Sequence, residues 1–197
     1  ATVEATLYQQ SIEDLILLVD EAPSSGASYS WQNGGEMETN GLEFALGLNP
    51  TSLVDLGGLD WNMHMTYYTN ESEVTKLTVD PYNYGGFATF LGTYRIEEGV
   101  SPTAIVGADY DADGNHIELG NENPDFRLSF RNSLSYGPLS LSFLIDHKEG
   151  GHAINLANLI YDLGATTADY EENGSRTAVL GGGSTAPYVE STTYTAL

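Results

Sequence analysis

Three aspartates with a spacing of two residues form the most suggestive metal-binding pattern in the chain. Asp109, Asp111, Asp113 and Gly114 match positions 1, 3, 5 and 6 of a calcium-binding loop, whose carboxylates ligate Ca²⁺. Position 12 of that loop, which requires Glu, is Gly120. Two interpretations therefore stay open: a Ca²⁺ ion bound in a surface loop, or a hairpin turn at Asp113 and Gly114 with solvated acids. The two can also coexist.

A second pattern with chemical potential consists of aromatic residues interleaved with amide and glycine residues. Tyr82, Tyr84 and Tyr94 lie in such a stretch, with Asn83 between the first two. Aromatic faces stack on the C–H faces of sugars while amides bind the hydroxyl groups, so the stretch is a candidate substrate-binding site. The equally weighted alternative is a loop that its own aromatic residues hold in place.

Catalytic patterns are weak throughout the sequence. There is no cysteine and there are four histidines, and no nucleophile-elbow pattern accompanies the many serines. A pair of catalytic carboxylates cannot be singled out among 28 acidic residues. The sequence therefore predicts a protein that is not an enzyme and that needs no cofactor, apart from the possible Ca²⁺.

The elements that must position these residues are β-strands. Apolar and polar residues alternate with period two from Phe126 to Tyr136 and again from Leu139 to Ile145, and only Gly137 and Pro138 separate the two stretches. This pattern predicts a hairpin with one apolar and one polar face. The same alternation predicts strands at about 1–9, 37–48, 59–72, 125–136 and 139–147.

The connections between the predicted strands alternate between short and long. Two long loops, at 73–124 and 148–190, separate hairpins with tight turns, which is typical of an outer-membrane barrel with extended extracellular loops. A soluble β-sandwich usually has shorter, regularly spaced turns. One short loop helix is predicted from apolar residues at spacings of three and four between Leu156 and Leu163, with Gly164 as its stop.

Charge and hydropathy narrow the possible partners. With 6 basic and 28 acidic residues the formal net charge is −22, which disfavours nucleic acid and anionic lipid headgroups as ligands. The longest apolar run, Leu15–Val19, is far too short for a membrane-spanning helix. A membrane barrel has no such runs, so it remains possible, with lipid against its apolar strand faces. The alternation alone does not decide which face points inward.

Several blocks of sequence, taken in order, resemble a known family. Asp14–Leu17, Asn33–Glu43, Gly120–Phe126, Asp146–Asn155 and Tyr188–Leu197 are similar to the barrel segment of SusC/RagA-type TonB-dependent outer-membrane transporters. The similarity covers essentially the whole chain, and the series of blocks is more specific than any one of them.

This resemblance implies a bacterial outer-membrane location and a 22-stranded transmembrane barrel. In that family a plug closes the lumen, TonB supplies the energy to open it, and a SusD-like surface lipoprotein caps it. The imported substrates are oligosaccharides or peptides. The sequence shows neither plug nor TonB box, so residues 1–197 are expected to be part of the barrel. The alternative is a soluble, secreted all-β carbohydrate-binding module.

Overall fold

The chain folds around one large sheet with a smaller layer of loops at one end. The structure is a computed structural model, and it describes residues 1–86, 88–164, 166 and 184–197. The predicted loop 148–190 falls partly on 167–183, outside the described residues.

The large sheet has six antiparallel strands in the order β1-β2-β3-β8-β9-β12. Their bounds are β1 Thr2–Asp20, β2 Tyr29–Leu48, β3 Leu59–Leu77, β8 Pro124–Tyr136, β9 Leu139–Gly150 and β12 Tyr194–Ala196. Each strand of this sheet pairs with the strand of the sheet that follows it along the chain. The chain leaves the sheet only between β3 and β8 and between β9 and β12. The all-β, antiparallel fold predicted from the alternation is confirmed. The sheet is open, and the number of 22 strands stays a prediction.

The register of the sheet collects the apolar residues on one face. One row across β2, β3, β8 and β9 consists of Leu46, Met65, Phe130 and Ile145, and the next row consists of Ala45, Thr66, Ser129 and Asp146. Because side chains alternate along each strand, this matching of rows gives the whole sheet an apolar face and a polar face. On the apolar face Val3, Leu7, Leu139 and Leu141 are 60–81% exposed.

The first three strands are longer than the alternation predicts. The strand predicted at 1–9 continues to Asp20, β2 begins at Tyr29 instead of 37, and β3 ends at Leu77 instead of 72. Polar residues after Tyr8 hide the continuation of β1, and a bulge follows, with Asp14 at φ 55°. Because a bulge changes the phase of the alternation, a period of two residues cannot be followed through it.

The two ends of the sheet differ in the size of their connections. At one end, called here the turn end, residues 49–58 join β2 to β3 and Gly137 and Pro138 join β8 to β9. At the other, called here the loop end, residues 21–28 join β1 to β2, and two long segments follow β3 and β9. Both long connections therefore lie at the loop end, together with the short connection 21–28.

The long segments at the loop end contain regular structure of their own, called here the loop layer. A four-stranded antiparallel sheet has the order β4-β5-β6-β7, and a separate pair is formed by β10 and β11. The bounds are β4 Tyr82–Tyr84, β5 Thr93–Ile96, β6 Ala104–Val106, β7 Gly120–Asn121, β10 His152–Ile154 and β11 Val189–Ser191. The segment predicted as a long loop, 73–124, therefore holds a small sheet.

The predicted helix is present as α1, Leu156–Leu163. The Asn155 side chain caps its first turn by accepting a hydrogen bond from the Asn158 N–H at 3.0 Å, and Gly164 follows its end. Leu159 of α1 is fully buried with Tyr188, and Phe90, Leu91, Ala108 and Leu163 pack against this pair. Within the described residues, no helix is long and apolar enough to cross a membrane.

Candidate functional site

The three tyrosines predicted to bind substrate lie on one face of the small sheet. Tyr84 and Tyr94 are cross-strand partners on β4 and β5, with ring centroids 5.4 Å apart and an angle of 33° between the ring planes. Tyr82 lies two residues before Tyr84, so its side chain projects from the same face, opposite Ile96. The structure therefore brings the three predicted residues together.

Hydrogen bonds fix two of these tyrosines. The Tyr84 hydroxyl donates to the Pro102 carbonyl at 2.8 Å, and the Tyr94 hydroxyl donates to Glu122 Oε2 at 2.6 Å. The bond to the Glu122 carboxylate, assisted by burial, raises the pKa of Tyr94 to about 12. Burial raises the pKa of Tyr82 and Tyr84 as well. The rings are thus rigid neutral surfaces at neutral pH.

A cleft of about 590 Å³ separates this aromatic face from the tip of the β1–β2 hairpin. The hairpin contributes Ile16, Leu17, Leu18, Asp20 and Tyr29, and the small sheet contributes Tyr82, Asn83, Tyr84, Gly85 and Ile96. Tyr94 supports the Tyr84 ring but does not line the cleft. An aromatic and aliphatic cleft with one carboxylate, Asp20, can stack on a ligand and orient it by hydrogen bonds, whereas the Asn83 amide lies on the other face of the sheet, where Arg95 donates to it.

The hairpin wall of the cleft was missed in the sequence. By residue type Leu15–Val19 is only the longest apolar run, and Tyr29 precedes the predicted start of β2 at residue 37. One signal is present in the sequence: the apolar run Leu15–Val19 follows a predicted strand of nine residues that is already long enough to cross a bilayer, which indicates a strand that continues beyond the membrane.

The reverse face of the small sheet is polar. Arg95 donates from Nη1 to Asn83 Oδ1 at 3.0 Å and pairs with Glu97. The His116 ring stacks on Tyr110 with ring centroids 4.6 Å apart. Burial, reinforced by the nearby Arg95, lowers the pKa of His116, so this ring is neutral at physiological pH. These contacts hold the small sheet on the loops beneath it.

Two of the three aspartates of the calcium pattern, Asp109 and Asp111, accept hydrogen bonds from separate partners. Asp109 accepts from the backbone N–H groups of Thr185 and Ala186 at 2.8 and 3.2 Å. Asp111 accepts from the N–H groups of Asp113 and Asn115 at 2.9 and 2.8 Å, and these bonds lower the pKa of Asp111.

These bonds match the hairpin interpretation of the calcium pattern. Gly114 has a φ of 87°, as the turn requires, and Tyr110 and His116 form the bridge that closes it. Among the described residues, no group of three or more His, Asp or Glu side chains could hold a metal ion. Calcium binding stays a prediction, and calorimetric titration with Ca²⁺ against a chelator control tests it.

The polar face of the large sheet carries a hydrogen-bonded cluster. Arg127 Nη2 donates to Asp146 Oδ2 at 2.7 Å and to the Tyr194 hydroxyl at 2.8 Å. The Tyr194 hydroxyl also donates to Asp146, and Ser129 donates to the same carboxylate. The ion pair between Arg127 and Asp146, together with the Tyr194 bonds, therefore joins β8, β9 and β12 on the polar face.

Comparison with known families identifies the large sheet. Residues 1–194 match the family described as "TonB dependent receptor-like, beta-barrel". The chain belongs to this family. Its apolar strand face therefore lies against the lipid of the outer membrane and its polar face lines the barrel lumen. Membership of a receptor family agrees with the prediction that the chain is not an enzyme.

Solved structures with the same fold include three of one assembly. The receptor segment aligns with "Structure of the RagAB peptide transporter" at a TM-score of 0.62 and 18% identity, covering 81% of this chain and 20% of that chain. It aligns with the RagAB peptide importer in its "closed-closed" state at a TM-score of 0.56 and 20% identity, covering 78% of this chain and 20% of that one. The "open-open" state gives 0.53 and 20%, with coverage of 78% and 19%.

The receptor segment spans about one fifth of the solved chains that it matches. No curated protein sequence matches it. With the barrel oriented, the turn end is periplasmic and the loop end is extracellular, because long loops of such barrels face outward. The aromatic cleft therefore lies on the extracellular side, beyond the part of the wall that crosses the membrane.

Proposed function

We propose that this chain is part of a TonB-dependent outer-membrane transporter that imports oligosaccharides or peptides. The observation that carries the proposal is the aromatic cleft at the extracellular end of a wall whose polar face lines the lumen. A solute captured between Tyr82 and the β1–β2 hairpin would be held at the entrance to a hydrated path. TonB, acting through a plug, would supply the energy for its release.

Uptake by cells that express the full-length receptor tests this proposal. The probes are fluorescent maltoheptaose as a glycan and a fluorescent tryptic digest of casein as peptides. Tyr82→Ala should weaken capture of the transported probe about three- to tenfold, because one stacking surface of the cleft is lost. Tyr161→Ala is the matched control, since Tyr161 is an exposed tyrosine of α1 outside the cleft. Uptake that persists in a strain without TonB would contradict the proposal.

A SusD-like surface lipoprotein is proposed as the partner at the extracellular end. The tip of the β1–β2 hairpin presents Ile16, Tyr29 and Trp31 to solvent, and Trp31 is 71% exposed. Exposed apolar groups in one place are typical of a protein contact. Trp31→Asp should reduce co-purification of the lipoprotein. Leu53→Asp is the control, because Leu53 is equally exposed at the periplasmic end. An equal effect of both substitutions would argue against a contact at the hairpin.

A further inference from the structure

Two arginines on the lumen face of β8 have contrasting surroundings. Arg127 lies opposite Lys148 of β9 in register, and its guanidinium reaches the carboxylate of Asp146. Tyr194 and Ser129 complete the hydrogen bonds of that carboxylate. The charge of Arg127 is therefore satisfied inside the wall and contributes little to ligand binding.

Arg131 lies four residues further along β8, on the same face. Its neighbours in register are His64 on β3 and Leu144 on β9, neither of which is an anion. It makes no hydrogen bond or ion pair with any residue that the structure describes. A guanidinium is charged at every physiological pH and offers five donors in a planar fork, so its hydrogen-bonding capacity is left for another molecule or segment.

The space around Arg131 is a cavity of about 560 Å³ in the lumen wall. The side chains that line it include His64, Thr66, Ser129, Arg131, Ser142 and Leu144. The polar members can all donate hydrogen bonds, and none of the lining residues is acidic. In a chain with a net charge of −22, this is a local cationic site facing water, and such a concave site concentrates anions.

We propose that Arg131 is a carboxylate-binding residue of the lumen wall. Its guanidinium would take the two carboxylate oxygens in the parallel geometry that Arg forms with such groups, while the hydroxyl of Ser142 and the ring of His64 donate from the flanking strands. The carboxylate belongs either to a transported solute or to another segment of the same transporter. A solute as the source of the carboxylate rests on the proposed transport function, whereas the binding of a carboxylate by Arg131 does not.

The charge preference of a neighbouring thiol tests the site directly. The full-length receptor carries Ser142→Cys as its single cysteine, which is practical because this chain contains none. Two methanethiosulfonate reagents of similar size are compared, one with an anionic sulfonate and one with a cationic trimethylammonium group. The ratio of anionic to cationic labelling rates should fall about tenfold in Arg131→Gln, because Ser142 is a diagonal neighbour of Arg131, at about 7 Å for such pairs, and a unit charge at that range acts on the two reagents in opposite directions. Arg131→Lys should keep most of the preference.

Ser140→Cys supplies the matched position. Ser140 pairs with Ser135 at the turn end of β9, so the same arginine substitutions should leave its labelling ratio unchanged. Folding of each variant is checked by the mobility of the unheated barrel on a gel. An unchanged ratio and unchanged rates at Ser142→Cys in a folded Arg131→Gln receptor would overturn the proposal, whatever the result of the uptake experiment.

Protection experiments distinguish the two sources of the carboxylate. N-acetyl-dialanine with a free C-terminus is compared with its C-terminal amide. Protection of the Ser142→Cys thiol by the acid alone, lost in Arg131→Gln, identifies a solute carboxylate. If neither peptide protects the thiol and Arg131→Gln speeds labelling by both reagents, a carboxylate of another transporter segment occupies the site. Equal protection by acid and amide, independent of Arg131, contradicts a carboxylate site.

Discussion

The barrel wall and the loop layer are stabilised in different ways. Along the wall, apolar side chains such as Leu7 and Leu141 are 81% and 60% exposed in the chain by itself. The buried apolar side chains of the described residues are at the loop end: Val74, Ala104, Ile105, Val106, Leu159 and Tyr188. The wall thus relies on strand pairing and on lipid, whereas the loop layer has a small core of its own.

The wall and the loop layer therefore place different requirements on the sequence of the same chain. The wall needs only the correct alternation and register, because lipid covers its outer face and the ladder of hydrogen bonds satisfies its backbone. The loop layer stands in water, so it must exclude water from a core and satisfy each loop carbonyl and amide individually. Substitutions should therefore have local effects in the loop layer and depth-dependent effects in the wall.

The largest effect is expected from the core of the loop layer. Leu159→Ala should destabilise that layer by about 2–5 kcal/mol, because it removes a fully buried side chain and leaves a cavity. Limited proteolysis of the full-length receptor should show faster cleavage at the extracellular loops. Ile160→Ala is the control, since Ile160 lies on the same helix and is 52% exposed. Loss of the folded barrel in Leu159→Ala would show that the two regions are not separate.

The wall should respond according to the face of the strand. Ile145→Arg places a charge against lipid near the middle of the wall and should cost about 2–4 kcal/mol. Ala45→Arg, in the next row of the sheet and opposite Glu4 in register, places the same charge on the lumen face, where the cost should be close to zero. Urea titration of the receptor in lipid vesicles measures both. Equal costs for the two substitutions would contradict the assignment of the faces.

Acid should loosen the hairpin around Asp111 before it affects the wall. Backbone and side-chain hydrogen bonds lower the pKa of Asp111 in the folded hairpin. Its contribution to stability is therefore present above its unfolded pKa of about 3.9 and is lost as the pH falls through the lower folded value. Hydrogen exchange of the 108–119 peptide between pH 5 and 2.5, corrected for intrinsic rates, should show this loss. Asp111→Asn should remove the pH dependence, and its persistence in this variant would assign it to another group.

The smallest effect concerns a single hydrogen bond in the loop layer. Because the pKa of Tyr94 is about 12, its hydroxyl keeps its proton at a pH above 10, at which an ordinary tyrosine with a pKa of about 10 is largely ionised. The contribution of the Tyr94–Glu122 hydrogen bond to the stability of the loop layer is full below pH 10 and is lost as the pH rises through about 12. Difference absorbance should show a tyrosine titration at a pKa of about 12 that moves towards 10 in Glu122→Gln but not in Glu118→Gln. An unchanged titration in Glu122→Gln would show that the bond to Glu122 does not cause the shift.

The wall was predictable from sequence to the extent that its alternation is regular. The Phe126–Ile145 hairpin stands out because each of its two strands alternates with a single exception, Asn132 and Leu144, and its turn is only two residues long. The predicted bounds of the first strand, 1–9, stop short of Asp20 because polar residues follow Tyr8 and a bulge at Asp14 breaks the phase of the alternation. Such irregularities depend on the partner strand, which a single sequence does not show.

The candidate site was predictable on one side only. Tyr82, Tyr84 and Tyr94 stood out through residue type and local spacing, and the small sheet places them on one face. Their opposite wall, around Ile16 and Tyr29, comes from more than fifty residues earlier and is brought near by the barrel register. Contacts of this range follow from topology, so local patterns cannot supply them.

The orientation of the wall is the central claim, and spin labels along β9 test it most directly. Single-cysteine variants at positions 139 to 146 of the full-length receptor are labelled in lipid vesicles, and relaxation by oxygen is compared with relaxation by a water-soluble nickel complex. Labels at Leu139, Leu141, Phe143 and Ile145 should respond to oxygen, and labels at Ser140, Ser142 and Leu144 to nickel. Equal nickel accessibility of both sets would contradict a strand with one face in lipid.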